Sequence, residues 1–597
     1  MHTAGGMPSR PKATVWSRTR VAEHEDGAFL HRPGACGLFL AVGLAAGACG
    51  GHAGTGSDGG DDDDDGGDIV IACDAPDDPG ILPRMSTEGL VIVTLHPGPS
   101  VTIGSPTVVS FGAPFPRDVL GDADLLRARL PGGEELPIHA EATLPWRAWP
   151  GGSSARESVR AAMISVEVTL PSPDPLAIEL EYGTAPAAVL PRAPDPLAGW
   201  TPVTDGEFPE GSVTEPPVYA TFPPDWLDAC ALRTRTRAVG ADPAFAFYDE
   251  SLVGSARTAV NDVGDEVTER IDYVGDGEPW LFDRTSTLFG VYARTGDETW
   301  LRHAHRSAQF YIGLLGADGT FALKQGDLKY SYGLGLLTDF IFTGDPALPG
   351  GIERIAGAGQ EWDPTYDMET GFWTERHQAY ALLAALIAWE ASGAPAHAER
   401  AHRIVQASLD LVVNPESGWP RDGCMLHTMD AHEGAGGDVP VCSPWMSALF
   451  ADALWQYYVQ SGDRSALGFL VGLGRYVARY GVYEGGDEGL DYWVPWYLAS
   501  SRYQFSDNGP FDDIEHTCDV GGLVVRAAWS ARACGADPAE LDATAGALIE
   551  SCAADLDDWH RPSGPESGLS EWRISPPRKF NWWFGTTSDM SWLLPSE

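Results

Sequence analysis

The stretch YARTGDETWL at residues 292–301 decides the fold. An aromatic, apolar run reaches a Gly-Asp turn, and a second run begins at once. The same tag returns as FIFTGDPAL (340–348), WEASGAPAHA (389–398), YYVQSGDRSAL (457–467) and SARACGADPAEL (530–541). The turn glycines, Gly296, Gly344, Gly393, Gly462 and Gly535, stand 48, 49, 69 and 73 residues apart. A two-helix unit repeating at such lengths is an array of helical hairpins. The segments before the turns, among them YGLGLLTDFIF, AYALLAALIAW and MSALFADALWQYY, are apolar on every side, and a helix apolar all round is buried all round. An inner circle of such helices, shielded by an outer circle, meets that demand. The expectation is an (α/α)6 toroid over 226–597, with the five tagged hairpins and a sixth near the start or the C-terminus.

The segments leading into the inner helices are PWLFDR (279–284), LKQGDLKYSY (323–332), TGFWTERHQAY (370–380), VCSPWM (441–446) and FDDIEHTCD (511–519). In a closed array the inner helices run parallel, so these segments meet at one mouth. That brings together Trp280, Asp283, Lys329, Tyr330, Tyr332, Trp373, Glu375, Arg376, His377, Tyr380, Trp445, Asp512, Asp513 and His516. Aromatic faces beside charged hydrogen-bonding groups suit a sugar, whose C–H face stacks while its hydroxyls bond to planar polar groups. Two long insertions, WPRDGCMLHTMDAHEG (419–434) and RKFNWWFG (578–585), add Arg421, His427 and His432, then Lys579, Asn581, Trp582 and Trp583.

Upstream, short alternating apolar runs replace the helical pattern: LVIVTL (90–95), TVVSFG (107–112), ISVEVTL (164–170) and LAIELEYG (176–183). They predict a β-sandwich or barrel over 88–200, with a Pro-rich linker at 201–225. The N-terminus carries Arg10, Lys12, Arg18 and Arg20, then GLFLAVGLAAGA (37–48) and Cys49. This reads as a signal peptide over 1–49. Ala46-Gly47-Ala48-Cys49 resembles a bacterial lipobox, which would make Cys49 the lipidated residue. The Gly/Asp-rich 50–87 reads as a tether. Asp61–Asp65 offers carboxylates for calcium but reads first as solvated linker, and a metal shared by His427, His432, Asp430 and Glu433 lacks regular helical spacing. The 85 acidic against 39 basic residues, a net charge of −46, exclude a nucleic-acid partner. Seven cysteines follow Cys49, without a CxxC, and predict structural disulfides Cys424–Cys442 and Cys534–Cys552 in an oxidising compartment.

VVSFGAPFPRDVL (108–120), LRARLPGGEELPIHAEA (126–142), WPGGS (149–153) and SVR (158–160) resemble the N-terminal β-domain of exo-rhamnogalacturonan lyase-like proteins, with Asp118 where those have glycine. The hairpin tags also resemble those of unsaturated glucuronyl hydrolases and other six-hairpin glycosidases. The resemblance implies action on acidic polysaccharide; the N-terminal segment and the cysteines predict export, and a monomer is expected. A lyase needs a proton-transfer group and a cation to hold the uronate carboxylate. His377, Tyr330 and Tyr332 are the candidates for the first role, with His516; Arg376 and Lys329 for the second. A hydrolase instead needs two carboxylates, from Asp283, Glu375, Asp422, Asp512 and Asp513. A glycan-binding surface lipoprotein needs only the tryptophans. Asp512 and Asp513 equally suit helix N-caps, and Glu375–Arg376 a scaffold salt bridge.

Overall fold

The computed structural model describes residues 70–73, 80–151, 157–191, 195–263, 270–361, 374–433, 437–485, 492–506, 509, 513–558, 572 and 574–594. Cys49, the Asp61–Asp65 run, Trp373 and Asp512 lie outside them. Two antiparallel sheets come first. One runs, in order, Val218–Thr221, Gly89–Pro97, Leu176–Tyr182, Leu126–Arg129 and Glu135–Leu136; the other Pro106–Pro114, Ser158–Thr169 and Ile138–Trp146. The inward residues are apolar and the outward ones polar or part-exposed, as in Gly89–Pro97, where Val91, Val93 and Leu95 enter the core. Asp118 holds φ +63°, the left-handed backbone that glycine takes at least cost, and its N–H donates to Ser158 Oγ at 2.9 Å.

The stretch expected to link the two parts is built into the fold. Val218–Thr221 is an edge strand paired with Gly89–Pro97, and Pro224–Cys230 is a helix whose Trp226 donates to Pro114 O at 2.9 Å. The end of the expected tether is likewise anchored, by buried Ile81 and by a disulfide at Cys73.

Five hairpins follow with their inner helices at Arg284–Thr295, Leu334–Thr343, Thr374–Ser392, Pro444–Ser461 and Thr517–Ala533. The tag glycines sit at φ +65° to +71°, the left-handed cap that ends a helix and turns the chain. The outer helices are Glu298–Gly313, Ala347–Ala358, Pro395–Val413, Ser465–Tyr476 and Ala539–Asp558. The sixth unit is split. Its inner element is the C-terminal pair Lys579–Gly585 and Met590–Leu593, and its outer helix is Ala246–Ala259 from the start of the toroid. Each inner helix packs on the next, and Lys579–Gly585 packs on Arg284–Thr295, so the circle closes.

The second sheet caps the end where the inner helices finish. Arg147 donates to Glu390 O (2.8 Å) and Ala391 O (3.1 Å), satisfying carbonyls at the C-terminus of Thr374–Ser392 with a cation at the negative end of its dipole. A Cβ on Gly112 would collide with Ile341 O, so strand and inner helix touch backbone to backbone. The opposite end, where the inner helices begin, is left for the site.

The disulfides are Cys424–Cys442, as expected, with Cys518–Cys552 and Cys73–Cys534; Cys230 is a buried free thiol. The expected Cys534–Cys552 pair is corrected by hairpin geometry. Cys534 lies at the turn, while Cys552 lies about 20 Å along the returning helix at 1.5 Å per residue. Cys518, near the start of the partner helix, faces Cys552 instead. Among the described residues no helix is long and apolar enough to cross a membrane.

Candidate functional site at the mouth of the toroid

All six hairpins contribute to the mouth. Trp445 stands in the first turn of its inner helix, behind the Ser443 N-cap. It stacks on His516 (centroids 5.0 Å, 23°) and lies 5.7 Å from Trp582, which itself touches His516 at 4.1 Å. Phe282 adds a fourth ring, 5.8 Å from Trp582 and 6.5 Å from Trp445. Each of these rings keeps only 6–7% of its surface open. They form a collar drawn from the first, fourth, fifth and sixth hairpins. The second and third supply Tyr332 and Tyr380, edge to face at 5.4 Å, and Arg376, whose guanidinium lies 5.5 Å from the Trp445 ring centroid.

His516 is oriented. Its Nδ1 is 3.4 Å from Asp519 Oδ2, which also accepts the Trp582 indole N–H at 2.6 Å. Asp519 is fully buried, so a carboxylate lies behind the imidazole while Nε2 makes no hydrogen bond among the described residues. The sequence held the signal, because a His and an Asp three apart share a helix face. The Trp445 indole N–H is buried without a partner among the described residues. It is a donor whose pairing remains to be supplied.

Around this collar lie cations. Burial lowers the Arg376 guanidinium below its ordinary value, and burial together with the Arg376 charge lowers the Lys329 ammonium. Lys329 Nζ is 3.4 Å from Asp327. Tyr330 points away, its hydroxyl 3.5 Å from Glu278, and burial raises its pKa to about 12. Tyr332 accepts the Phe282 N–H at 2.8 Å and donates to Lys329 O; burial raises it far above its usual value. His377 follows Arg376 on the same inner helix and is half-buried.

Other expected site residues serve the scaffold. Trp280 is 1% exposed, donates to Tyr273 O at 2.7 Å and stacks on Phe310 and Tyr311, so it is core rather than mouth. Asn581 donates to Pro279 O and Leu281 O at 2.7 and 2.8 Å. Lys579 is paired with Glu515. Asp513 accepts the Tyr483 hydroxyl at 2.7 Å, and Asp422 accepts Ser501 N–H at 2.8 Å, with burial raising its pKa. Arg421 is exposed. Glu375 is fully buried; it pairs with His427 at 3.3 Å and accepts Ser443 N–H at 2.8 Å. Burial alone pushes the Glu375 carboxyl up, but His427 outweighs it and the group sits below its ordinary range; His427 is correspondingly raised against its own burial. His432 stacks on His427 at 5.4 Å, and burial with that neighbouring charge brings it down to about 3. Among the described residues no cluster of three or more such groups is arranged to hold a metal.

Asp283 caps the first inner helix. Its carboxylate accepts Ser286 N–H at 3.0 Å and Gly335 N–H at 3.3 Å, and burial raises its pKa. Beneath the collar it borders a cavity of about 40 Å³ with Arg233, Asp452, Tyr332 and Tyr380. That space holds a few waters and is too small for a sugar ring.

No family model and no curated protein matches this chain. Among solved structures it is similar to the unsaturated glucuronyl hydrolase from Streptococcus agalactiae (12% identity, TM-score 0.38, 62% of this chain and 95% of that one). It is also similar to an inactive variant of an α-1,6-mannanase of Salegentibacter sp. (13%, 0.38, 57% and 98%). A polysaccharide lyase shows the same level of likeness (11%, 0.39, 60% and 100%).

Proposed function

We propose that this chain is an exported carbohydrate-active enzyme that cleaves a uronate-containing polysaccharide by β-elimination at the toroid mouth. The observation that carries the reading is the Asp519-backed His516 within an indole collar, beside the cations Arg376 and Lys329. A uronate ring is held at the edge of the collar that Trp445 and Trp582 form. Arg376 and Lys329 hold the carboxylate, which spreads the charge that develops when the proton alpha to it leaves. His516 Nε2 takes that proton, and Asp519 steadies the imidazolium. The electron pair forms the C4–C5 double bond as the 4-linked oxygen departs, and the imidazolium returns its proton to that oxygen. The mouth carboxylates Glu375, Asp283 and Asp519 are already engaged by protein donors, which favours this reading over a two-carboxylate hydrolysis. Three disulfides support folding in an oxidising compartment.

The test is incubation with a panel of uronate polysaccharides while the ultraviolet absorbance of a conjugated, unsaturated uronate is followed. Wild type produces the chromophore; His516→Ala lowers turnover about a hundredfold or more, with an unchanged circular dichroism spectrum. New reducing ends without the chromophore replace elimination by hydrolysis.

A further inference from the structure

A small β-hairpin, Val482–Glu484 against Trp493–Pro495, stands at the rim of the mouth. The Tyr483 hydroxyl donates to Asp513 Oδ2 at 2.7 Å, directly before the turn Ile514–His516. Trp496 stacks on Tyr483 (3.8 Å, 25°), and its N–H donates to Gly481 O at 2.8 Å. The next ring, Tyr497, lies 5.4 Å from His432 and 6.5 Å from Trp445 of the collar. Directly opposed residues of an antiparallel pair share a face. Tyr483 and Val494 oppose each other, and Val494 is fully buried, so that face meets the protein. Glu484 and Trp493 are the next pair and face the other way, both exposed. Trp493 keeps 42% of its surface open and is the one exposed aromatic ring among the described residues. Tryptophan is on average strongly buried, so an indole left open beside the mouth is an exception that packing does not explain.

We propose that Trp493 and Glu484 form an outlying glycan subsite that takes an uncharged sugar residue of the polymer. The open indole stacks on a C–H face, and the Glu484 carboxylate on the same side accepts sugar hydroxyls. A uronate at this place would set its own carboxylate against Glu484, and neither strand carries a Lys or Arg to offset the repulsion. The backbone from Trp493 to Tyr497 spans at most about 14 Å, so one oligosaccharide reaches both the collar and this ring. The substrate class that follows is a heteropolymer in which neutral residues accompany the uronates. This rests on the toroid being carbohydrate-active, but not on the elimination chemistry.

Affinity electrophoresis of the full chain tests it, in gels carrying polygalacturonate or one of a panel of neutral polymers (galactan, arabinan, mannan, glucan). At least one neutral polymer is expected to retard the wild type. Trp493→Ala should lower the apparent affinity for that polymer about tenfold or more, as loss of a stacking ring implies, while Trp493→Phe keeps most of it. Retardation by polygalacturonate should be the same in wild type and Trp493→Ala. Because the ring is exposed, both variants are expected to match the wild-type urea midpoint. Retardation of the wild type by no neutral polymer, or full retardation of Trp493→Ala, overturns the inference. An equal loss in the neutral and acidic gels overturns the assignment to an uncharged sugar. If Trp493 governs neutral binding while polygalacturonate is neither bound nor converted to the unsaturated chromophore, the elimination reading fails and this one stands.

Discussion

His305 lies between two acceptors: Nδ1 is 2.8 Å from Asp339 Oδ1, and Nε2 is 3.0 Å from Thr214 O. A carbonyl cannot donate, so Nε2 carries a proton. The 2.8 Å contact to Asp339 holds a second proton, whether it is written on the imidazole or on the carboxyl. Burial alone would push His305 down, but Asp339 and Glu215 outweigh it and hold it above its ordinary value, while burial raises Asp339. A histidine raised on folding contributes stability that is complete below its unfolded pKa, about 6.5, and lost as pH rises through the folded value. The melting temperature of wild type is therefore expected to fall across that alkaline window. Asp339→Asn should flatten this arm, and a variant whose profile runs parallel to wild type refutes the assignment. Neither partner was marked in the sequence, since a lone His and Asp 34 residues apart carry no local pattern. Phe282 was hidden for a related reason: its left-handed backbone, at φ +70°, leaves no trace in residue type. Arg376 and Trp445 were legible, because they follow directly from which segments open the inner helices.

The third hairpin and the insertion after it form one element held by a buried pair. The Cys424–Cys442 disulfide closes the loop whose two short strands, His427–Thr428 and Pro440–Val441, pair antiparallel. It sets the His427 ring and the Ser443 N–H against one carboxylate oxygen of Glu375, Oε1. Removing one partner of a buried ion pair strands the other, so Glu375→Ala is expected to cost about 3–5 kcal/mol in urea unfolding at neutral pH. Because the Glu375 pKa is depressed on folding, this contribution is present above about 4.5 and lost as pH falls through the folded value. A cost within about 0.5 kcal/mol would place the pair among surface ones. The hairpins themselves were readable because glycine marks a left-handed cap by residue type alone. The insertion was not, since spacing could not tell a histidine presented to the mouth from one turned inward to a glutamate.

Closure of the toroid depends on charge buried where the two chain ends meet. Arg526, on the fifth inner helix, donates to Asp589 of the C-terminal pair at 2.7 and 3.1 Å and to Asp452 of the fourth inner helix at 3.2 Å. All three are 1% exposed. Arg233, from the stretch before the first helix of the toroid, pairs with the same Asp452. Tyr248 of the sixth outer helix meets Thr587 at 2.8 Å, joining the two halves of the split unit. No tag announces that unit, because its two helices come from opposite ends of the toroid sequence and no turn connects them. Burial already raises the Asp589 pKa, with Arg526 as the main restraint. Replacing Arg526 by Met leaves two buried acids facing one remaining arginine, at an expected cost of about 3–5 kcal/mol. The variant can relieve part of it by protonating Asp589. An acid whose pKa is raised on folding stabilises below its unfolded value and loses that contribution as pH rises through the folded one. Arg526→Met should therefore lose more stability relative to wild type at pH ~8 than at pH ~5, read from paired urea midpoints. The loss should open the C-terminal pair to limited proteolysis before the five tagged hairpins. An equal loss at both pH values would mean that Asp589 stays ionised without Arg526, and that Arg233 alone neutralises the junction.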